Sequence, residues 1–408
     1  MALTKLTQNL IDGTLVTSVN SLTGAVTLET GTDWVNTIQT SNFTAVAGKG
    51  YFVNTTSGEI TVTLPAGTVG NEVIIQDYAG TFNTNKVTIS ADGSEKIQGS
   101  GSDFQCTTNN ARVSLVYQDS TKGWTANDIT ALPLIIEYLV VAGGGAGGGN
   151  SWISGGGGAG GLRTSYGSTS GGGASAETDI TASAGDSFTV TIGAGGAGTQ
   201  SGQGGSGSNS VFSTITSTGG GGGGASFNSS AANGLSGGSG GGAGGATYYS
   251  GSGGSGTANQ GYGGGSSSAV PGCGVGSCQA GGGGGAAGSG SSNVTSTDNT
   301  TSGGAGLILD ITGSNVTYGY GGRGLQLNST YTAGGGTTNT GNGGWGGWHD
   351  PSAGSNPKDV SGASGIVILK YPASNSLTIG AGLTGSTTTV GSSKVTSFTA
   401  GTGTITFA

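Results

Sequence analysis

The feature that most constrains this chain is a long series of glycine runs held between two strand-like segments. The first segment is Leu134-Ile135-Ile136-Glu137-Tyr138-Leu139-Val140-Val141, and the second is Ile366-Val367-Ile368-Leu369-Lys370-Tyr371. Between them lie Gly143 to Gly149, Gly155 to Gly161, Gly219 to Gly224, Gly281 to Gly285 and Gly334 to Gly336. A Gly/Ser-rich stretch is ordinarily a flexible linker. This one carries strands inside it: Ser187-Phe188-Thr189-Val190-Thr191-Ile192 alternates apolar and polar residues, as a half-buried strand does. Leu307-Ile308-Leu309-Asp310-Ile311 and Asn315-Val316-Thr317-Tyr318 repeat the signal, and Trp152, Tyr166, Phe212, Phe227, Tyr262 and Trp345 are spaced through the glycines.

Glycine loses more backbone entropy on folding than any other residue, against roughly 1–2 kcal/mol for an ordinary one. Ordered glycine therefore needs an offsetting interaction. Extended polyproline-II-type helices packed side by side supply one, because their N–H and C=O groups point outward to neighbours. Collagen is excluded: there is no Gly-X-Y period and the chain has only 6 prolines.

Tyr138-Leu139-Val140-Val141-Ala142-Gly143-Gly144-Gly145, Gly157-Gly158-Ala159-Gly160-Gly161-Leu162 and Val190-Thr191-Ile192-Gly193-Ala194-Gly195-Gly196-Ala197-Gly198 follow one another in that order. Asn339-Thr340-Gly341-Asn342-Gly343-Gly344 and Gly365-Ile366-Val367-Ile368-Leu369-Lys370-Tyr371-Pro372 close the series. The succession resembles the glycine-rich domain of bacteriophage tail fibres and adhesins. That resemblance implies polyglycine-II helices in a sandwich, with variable loops at the tip touching a host receptor. It also implies a virion location on a phage tail, and with no targeting signal legible the expected place of synthesis is the host cytoplasm.

The fold expectation is accordingly all-β, with almost no α-helix. Residues 1–30 read as a virion-attachment or assembly segment, on Leu10-Ile11-Asp12-Gly13-Thr14 and Val19 to Leu28; the alternative there is a plain hairpin turning at Thr23-Gly24. Residues 31–130 read as a small antiparallel β-sandwich, residues 131–372 as the glycine-rich polyglycine-II domain, and residues 373–408 as a C-terminal β segment. That last segment either adds an edge strand or stands as a second small unit.

Composition bears on partners. Charged residues are 7% and the net charge is -8, which opposes nucleic-acid binding, since that needs a basic footprint. The start, Met1 to Thr7, lacks the basic and apolar regions of a secretory signal, and the apolar run from Leu132 to Ala142 is too short to span a bilayer. With apolar residues spread thinly, small β units and oligomer interfaces are expected, and a homotrimer is the expected assembly.

No catalytic constellation is legible. His349 is the chain's one histidine and reads as a loop residue, and the acids Asp179, Asp186, Asp298, Asp310 and Asp350 are scattered. The many GxGxxG matches carry no weight without a strand–turn–helix context. No cofactor and no metal site is expected. Cys273 and Cys278 flank a glycine-rich turn and can reach disulfide range, with thiols equally consistent in a reducing cytosol.

The reading is a tail fibre or receptor-binding protein that attaches a virion to host surface glycan or outer-membrane protein, alongside other tail or baseplate proteins. The rival readings are a purely structural virion appendage and a polysaccharide depolymerase. Recognition belongs on loops held by a rigid scaffold. Exposed aromatics suit that role, which singles out Tyr248, Tyr249 and Tyr262 as one cluster and Trp345, Trp348 and His349 as another. The alternative is that these rings cap the lattice as local core.

Overall fold

Alternating sequence in the first third of the chain builds strands with one buried face. The computed structural model describes residues 18–19, 22–23, 32–131, 134–149, 153–183, 185–199, 202–227, 230–245, 249–267, 279–292, 300–325, 335–347 and 360–407. These residues form two units, divided after Leu132.

In the N-terminal unit the strands are β1 (Asp33–Gln39), β2 (Phe43–Thr44), β3 (Lys49–Val53), β4 (Ile60–Thr63), β5 (Glu72–Asp77), β6 (Val87–Ser90), β7 (Phe104–Cys106), β8 (Ala111–Asp119) and β9 (Gly123–Ala131). One sheet has the order β9-β8-β5-β3-β1 and the other β2-β4-β6-β7. Their inner faces share one core that includes Tyr51, Val53, Val62, Ile75, Ile89, Leu115 and Trp124. The two-sheet arrangement was expected, but the antiparallel pairing is corrected: β1, β3 and β5 are parallel, as are β2, β4 and β6. The chain winds from one sheet to the other and back, so each crossover between parallel strands contains a strand of the opposite sheet. Only β7, β8 and β9 return antiparallel. Alternation fixes which face of a strand is buried and says nothing of its partner's direction. Earlier in the same unit Ser18–Val19 pairs antiparallel with Leu22–Thr23, which puts Thr23 in a strand rather than in the turn.

The C-terminal unit is organised by the two apolar runs. These are β10 (Leu134–Val141) and, far along the chain, a strand at Ile366–Pro372; they pair antiparallel with Glu137 opposite Lys370 and Val141 opposite Ile366. Lys370 Nζ donates to Glu137 Oε2 at 2.7 Å across that register. The remaining strands of the sheet are β11 (Leu162–Thr164), β12 (Ile180–Ala182), β13 (Ser187–Thr191), β14 (Ser210–Phe212), β15 (Ile215–Ser217), β16 (Ile366–Pro372 itself), β17 (Leu377–Ile379), β18 (Leu383–Val390) and β19 (Ser393–Phe407). Both faces are covered, which is why the runs are apolar without alternation. Tyr138, Val140, Val367 and Leu369 pack with Phe212, Phe398 and Phe407, while Leu139, Val141, Ile366 and Ile368 pack with Leu309, Ile311 and Tyr318. The residues after Pro372 join this same sheet. β19 pairs with β16 along Ser393–Phe398 and with β18 along Ser393–Gly401, then with β13 along Thr402–Thr406 and with β17 along Ile405–Phe407. Gly401, at φ +96, makes the bend between the two halves, a conformation that side chains rarely adopt.

Glycine segments grow directly from the strand ends. Segment 142–149 continues directly from β10. Gly143 and Ala146 donate to Ser208 and Gly205, Gly144 and Gly147 to Ala363 and Val360, and Gly145 and Gly148 to Gly158 and Gly155. The partner segment thus recurs at every third donor. The segment also accepts from Gly220 and Gly223, from Gly344 and Gly347, and from Gly196, so it is surrounded on six sides. Segment 155–161 is enclosed in the same way, bonding to residues 218–224, 281–284, 341–344, 239–242, 322 and 145–148.

This packing explains the composition. A Cβ added at Gly143, Gly147 or Gly157 would lie 2.0–2.1 Å from the carbonyl oxygen of Ala194, Trp345 or Gly145. At the margins, where a further segment is missing, side chains supply the acceptor. The Ser252 N–H donates to Asn233 Oδ1 at 2.8 Å, the Gly219 N–H to Asn209 Oδ1 at 2.9 Å, and the Thr218 N–H to Gln260 Oε1 at 2.8 Å. Almost every backbone polar group needs a partner when buried, and here asparagine and glutamine side chains finish the lattice.

Candidate functional site

The registers sort the lattice into two ends. At the sheet end, Ala142 meets Gly161, Gly161 meets Thr218, Leu162 meets Gln260 and Gly365 meets Gly193. At the far end, Gly149 bridges to Gly202, Gly245 donates to Ile153, Leu325 to Ser154, and Gly347 to Gly148. Ser226–Phe227 pairs there with Ser230–Ala231, Thr300–Thr301 pairs with Gly324–Leu325, and Gly251 donates to Ser267. The described segment ends at 149, 202, 227, 230, 245, 267, 325 and 347 therefore gather at this end, while the turn at 257–260 lies at the other.

Two of the sequence-derived aromatic residues flank that end. Tyr249 is exposed. Trp345 is half-buried, with the Arg323 guanidinium 5.3 Å above its ring centre. This is the range of a cation–π contact. Tyr262 is not brought to Tyr249. It lies toward the sheet end, where its N–H donates to Gly285, and its hydroxyl is the neighbour a Cβ on Gly173 would strike at 2.5 Å. Tyr248, Trp348, His349, Cys273 and Cys278 lie outside the described residues. Cys106, in the N-terminal unit, is a buried free thiol. Among the described residues, no group of three or more His, Cys, Asp or Glu is placed to hold a metal ion.

The sheet end holds a second feature that sequence reading missed. An open cleft of about 620 Å³ is lined by Tyr138, Arg163, Glu177, Thr178, Asn259 and Gln260, among others. Arg163 projects from β11 and Tyr138 from β10, while the Glu177 N–H donates to the Thr164 carbonyl and so anchors the loop before β12. The Arg163–Glu177 pair is bidentate: Nε donates to Oε1 at 2.8 Å and Nη2 to Oε2 at 2.7 Å. The Tyr138 hydroxyl donates to the same Oε2 at 2.8 Å. Burial, reinforced by the bond to Glu177, holds the Tyr138 phenol well above its ordinary range, and the Glu177 bond raises Arg163 against its own desolvation.

The opposing lips meet because Gly172 and Gly173 take φ +67 and +76, and a Cβ at Gly172 would lie 2.9 Å from the Gln260 backbone nitrogen. Asn259, at φ +60, makes the facing turn, a conformation that asparagine tolerates. The available sequence signal was the scarcity of charge: Arg163, Glu177 and Asp179 are the charged residues between 138 and 180.

The class of protein these features define is an all-β chain whose larger unit is a hydrogen-bonded glycine lattice growing from a strand sheet. The family follows from comparison with known proteins. The chain belongs to the glycine-rich domain family, whose model matches residues 119–372, more than half of its length. Over 77 residues it is 40% identical to the baseplate wedge protein gp10 of Enterobacteria phage T4. That stretch covers 18% of this chain and 13% of gp10, so the chain spans only a small part of the relative.

Proposed function

We propose that this chain is a structural protein of a phage tail, and that it attaches the virion to the host cell surface through the loop-bearing end of its lattice. The observation that carries the reading is that described segment ends, among them 149, 227, 245, 325 and 347, gather at the end of the lattice away from the sheet. A scaffold of this kind lets loops vary without disturbing the core, and functional residues concentrate on such loops. The similarity to a baseplate wedge protein supports a place among tail and baseplate proteins. In this reading the glycine segments are polyglycine-II helices, the assembly is a homotrimer, and repeated weak contacts to glycan or outer-membrane protein gain strength through multivalency. The chain performs no catalytic step and needs no cofactor.

The test is a double change, Trp345→Ala with Trp348→Ala. The receptor reading expects a folded protein that adsorbs poorly to host cells. Unchanged adsorption removes this cluster from the contact surface, and lost folding assigns the rings to structure. The baseplate similarity specifically favours a second reading, a virion appendage without receptor contact. Failure of the purified unmodified chain to bind host cells would select it.

A further inference from the structure

We infer that the cleft at the sheet end is a binding site for a neutral saccharide, formed by Ser175, Thr178 and Asn259 over the Tyr138–Arg163–Glu177 network. The inference is independent of the receptor reading, because the cleft and the loop-bearing end lie at opposite ends of the lattice. Its base is rigid. The guanidinium is fixed by two bonds to one carboxylate, and that carboxylate is held by the Tyr138 hydroxyl and by its own residue's backbone bond to Thr164. Such preorganisation lowers the entropy cost of binding.

The rim differs from the base. The side chains of Ser175, Thr178 and Asn259 are exposed at the cleft and hydrogen-bond to no other described residue. They place two hydroxyls and an amide, each able to donate and to accept, around a small apolar patch of Ile215, Ala174 and Ala258. A sugar ring is the complementary object, since it carries hydroxyls around its edge and C–H bonds on its faces. The volume, about 620 Å³, lies within the usual range of small-molecule sites.

Charge narrows the class. Arg163 and Glu177 neutralise each other through their bidentate contact, leaving no unpaired cation among the lining residues to favour a carboxylate or phosphate. Gln260 is already committed, accepting from the Thr218 N–H, and so acts as wall rather than as ligand.

The test uses the full chain and a panel of neutral oligosaccharides built from glucose, galactose and N-acetylglucosamine, with hexuronate oligosaccharides as the charged counterpart. Amide chemical-shift mapping of the unmodified protein should show one neutral probe binding with shifts centred on residues 174–178 and 258–260. Thr178→Val with Asn259→Gly removes two rim groups, and glycine keeps the left-handed backbone at position 259. Affinity should fall by about tenfold or more, with the melting temperature unchanged, as expected for lost hydrogen bonds to a ligand. No binding of any neutral probe at about 10 mM, a concentration that detects millimolar sites, would overturn the inference. Shifts centred elsewhere, equal affinity in the variant, or tighter binding of the hexuronates would overturn it as well. Should the variant fail to fold, the mapping on the unmodified chain decides alone. Adsorption of the Trp345/Trp348 variant reports on the other end of the molecule, so either proposal can fall without the other.

Discussion

Gly157→Ala tests the lattice at an enclosed point. Gly157 donates to the Gly344 carbonyl and accepts from the Gly322 N–H, both at 2.8 Å. An alanine methyl there would lie 2.1 Å from the Gly145 oxygen, about 1.3 Å short of ordinary contact at 3.4 Å. Segment 142–149 has no open side into which to retreat, since it is bonded to neighbours all round. Overpacking of this kind costs about 1–3 kcal/mol, and lengthening two or three hydrogen bonds adds about 1 kcal/mol each. The reduced entropy of the unfolded alanine chain returns about 0.4–1 kcal/mol. The net expectation is a loss of about 2–5 kcal/mol, read as a lower urea midpoint and melting temperature. Gly288→Ala is the control within the same unit. Its Cβ meets Ala305 at 3.4–3.6 Å, and it should be close to neutral. The lattice does hold buried alanines at 146, 159 and 243, so the effect depends on position rather than on methyl groups as such. A Gly157→Ala protein as stable as Gly288→Ala would refute the reasoning.

Hydrogen exchange should divide the lattice by depth. Amides of 143–148 and 155–161 should be strongly protected, and fast exchange throughout these segments would remove the lattice as the source of order. In the N-terminal unit, the buried Asp77 carboxylate accepts from the N–H groups of Gly80 and Asn110 at 2.9 Å, with Ala79, Thr81 and Phe82 at 3.2–3.3 Å. Asp77→Asn turns donors toward donors and should cost about 2–4 kcal/mol in urea unfolding; a change below about 0.5 kcal/mol would show the contacts to be incidental. Tyr318 is buried, which pushes its phenol up to about 12 from an ordinary value of 10.0. Its folded pKa is the raised one, so its contribution to stability is complete below pH 10 and declines as pH rises through 12. Phenolate absorbance should show a late-ionising component that loses amplitude in Tyr318→Phe, and an unchanged titration in that variant would refute the burial argument.

The glycine runs, the two apolar brackets and the alternating strands by themselves determined an all-β chain with an ordered glycine region. The reason is local: spacing records which faces are buried, and glycine frequency records where backbones approach closely. Direction and partnership were decided only in three dimensions. The parallel winding of β1, β3 and β5 leaves no mark on alternation, because a strand's pattern is the same whichever way its neighbour runs. The pairing of Glu137 with Lys370 joins residues 233 positions apart, a distance over which local sequence carries no information about contact. The candidate sites divide in the same way. Tyr249 and Trp345 were legible as unusual aromatics among glycines, but only the registers set them at one end and placed Tyr262 toward the other. Arg163, Glu177 and Asn259 come from three separate stretches, and it is the close approach of Gly172 to the turn at 259–260 that makes them one cleft.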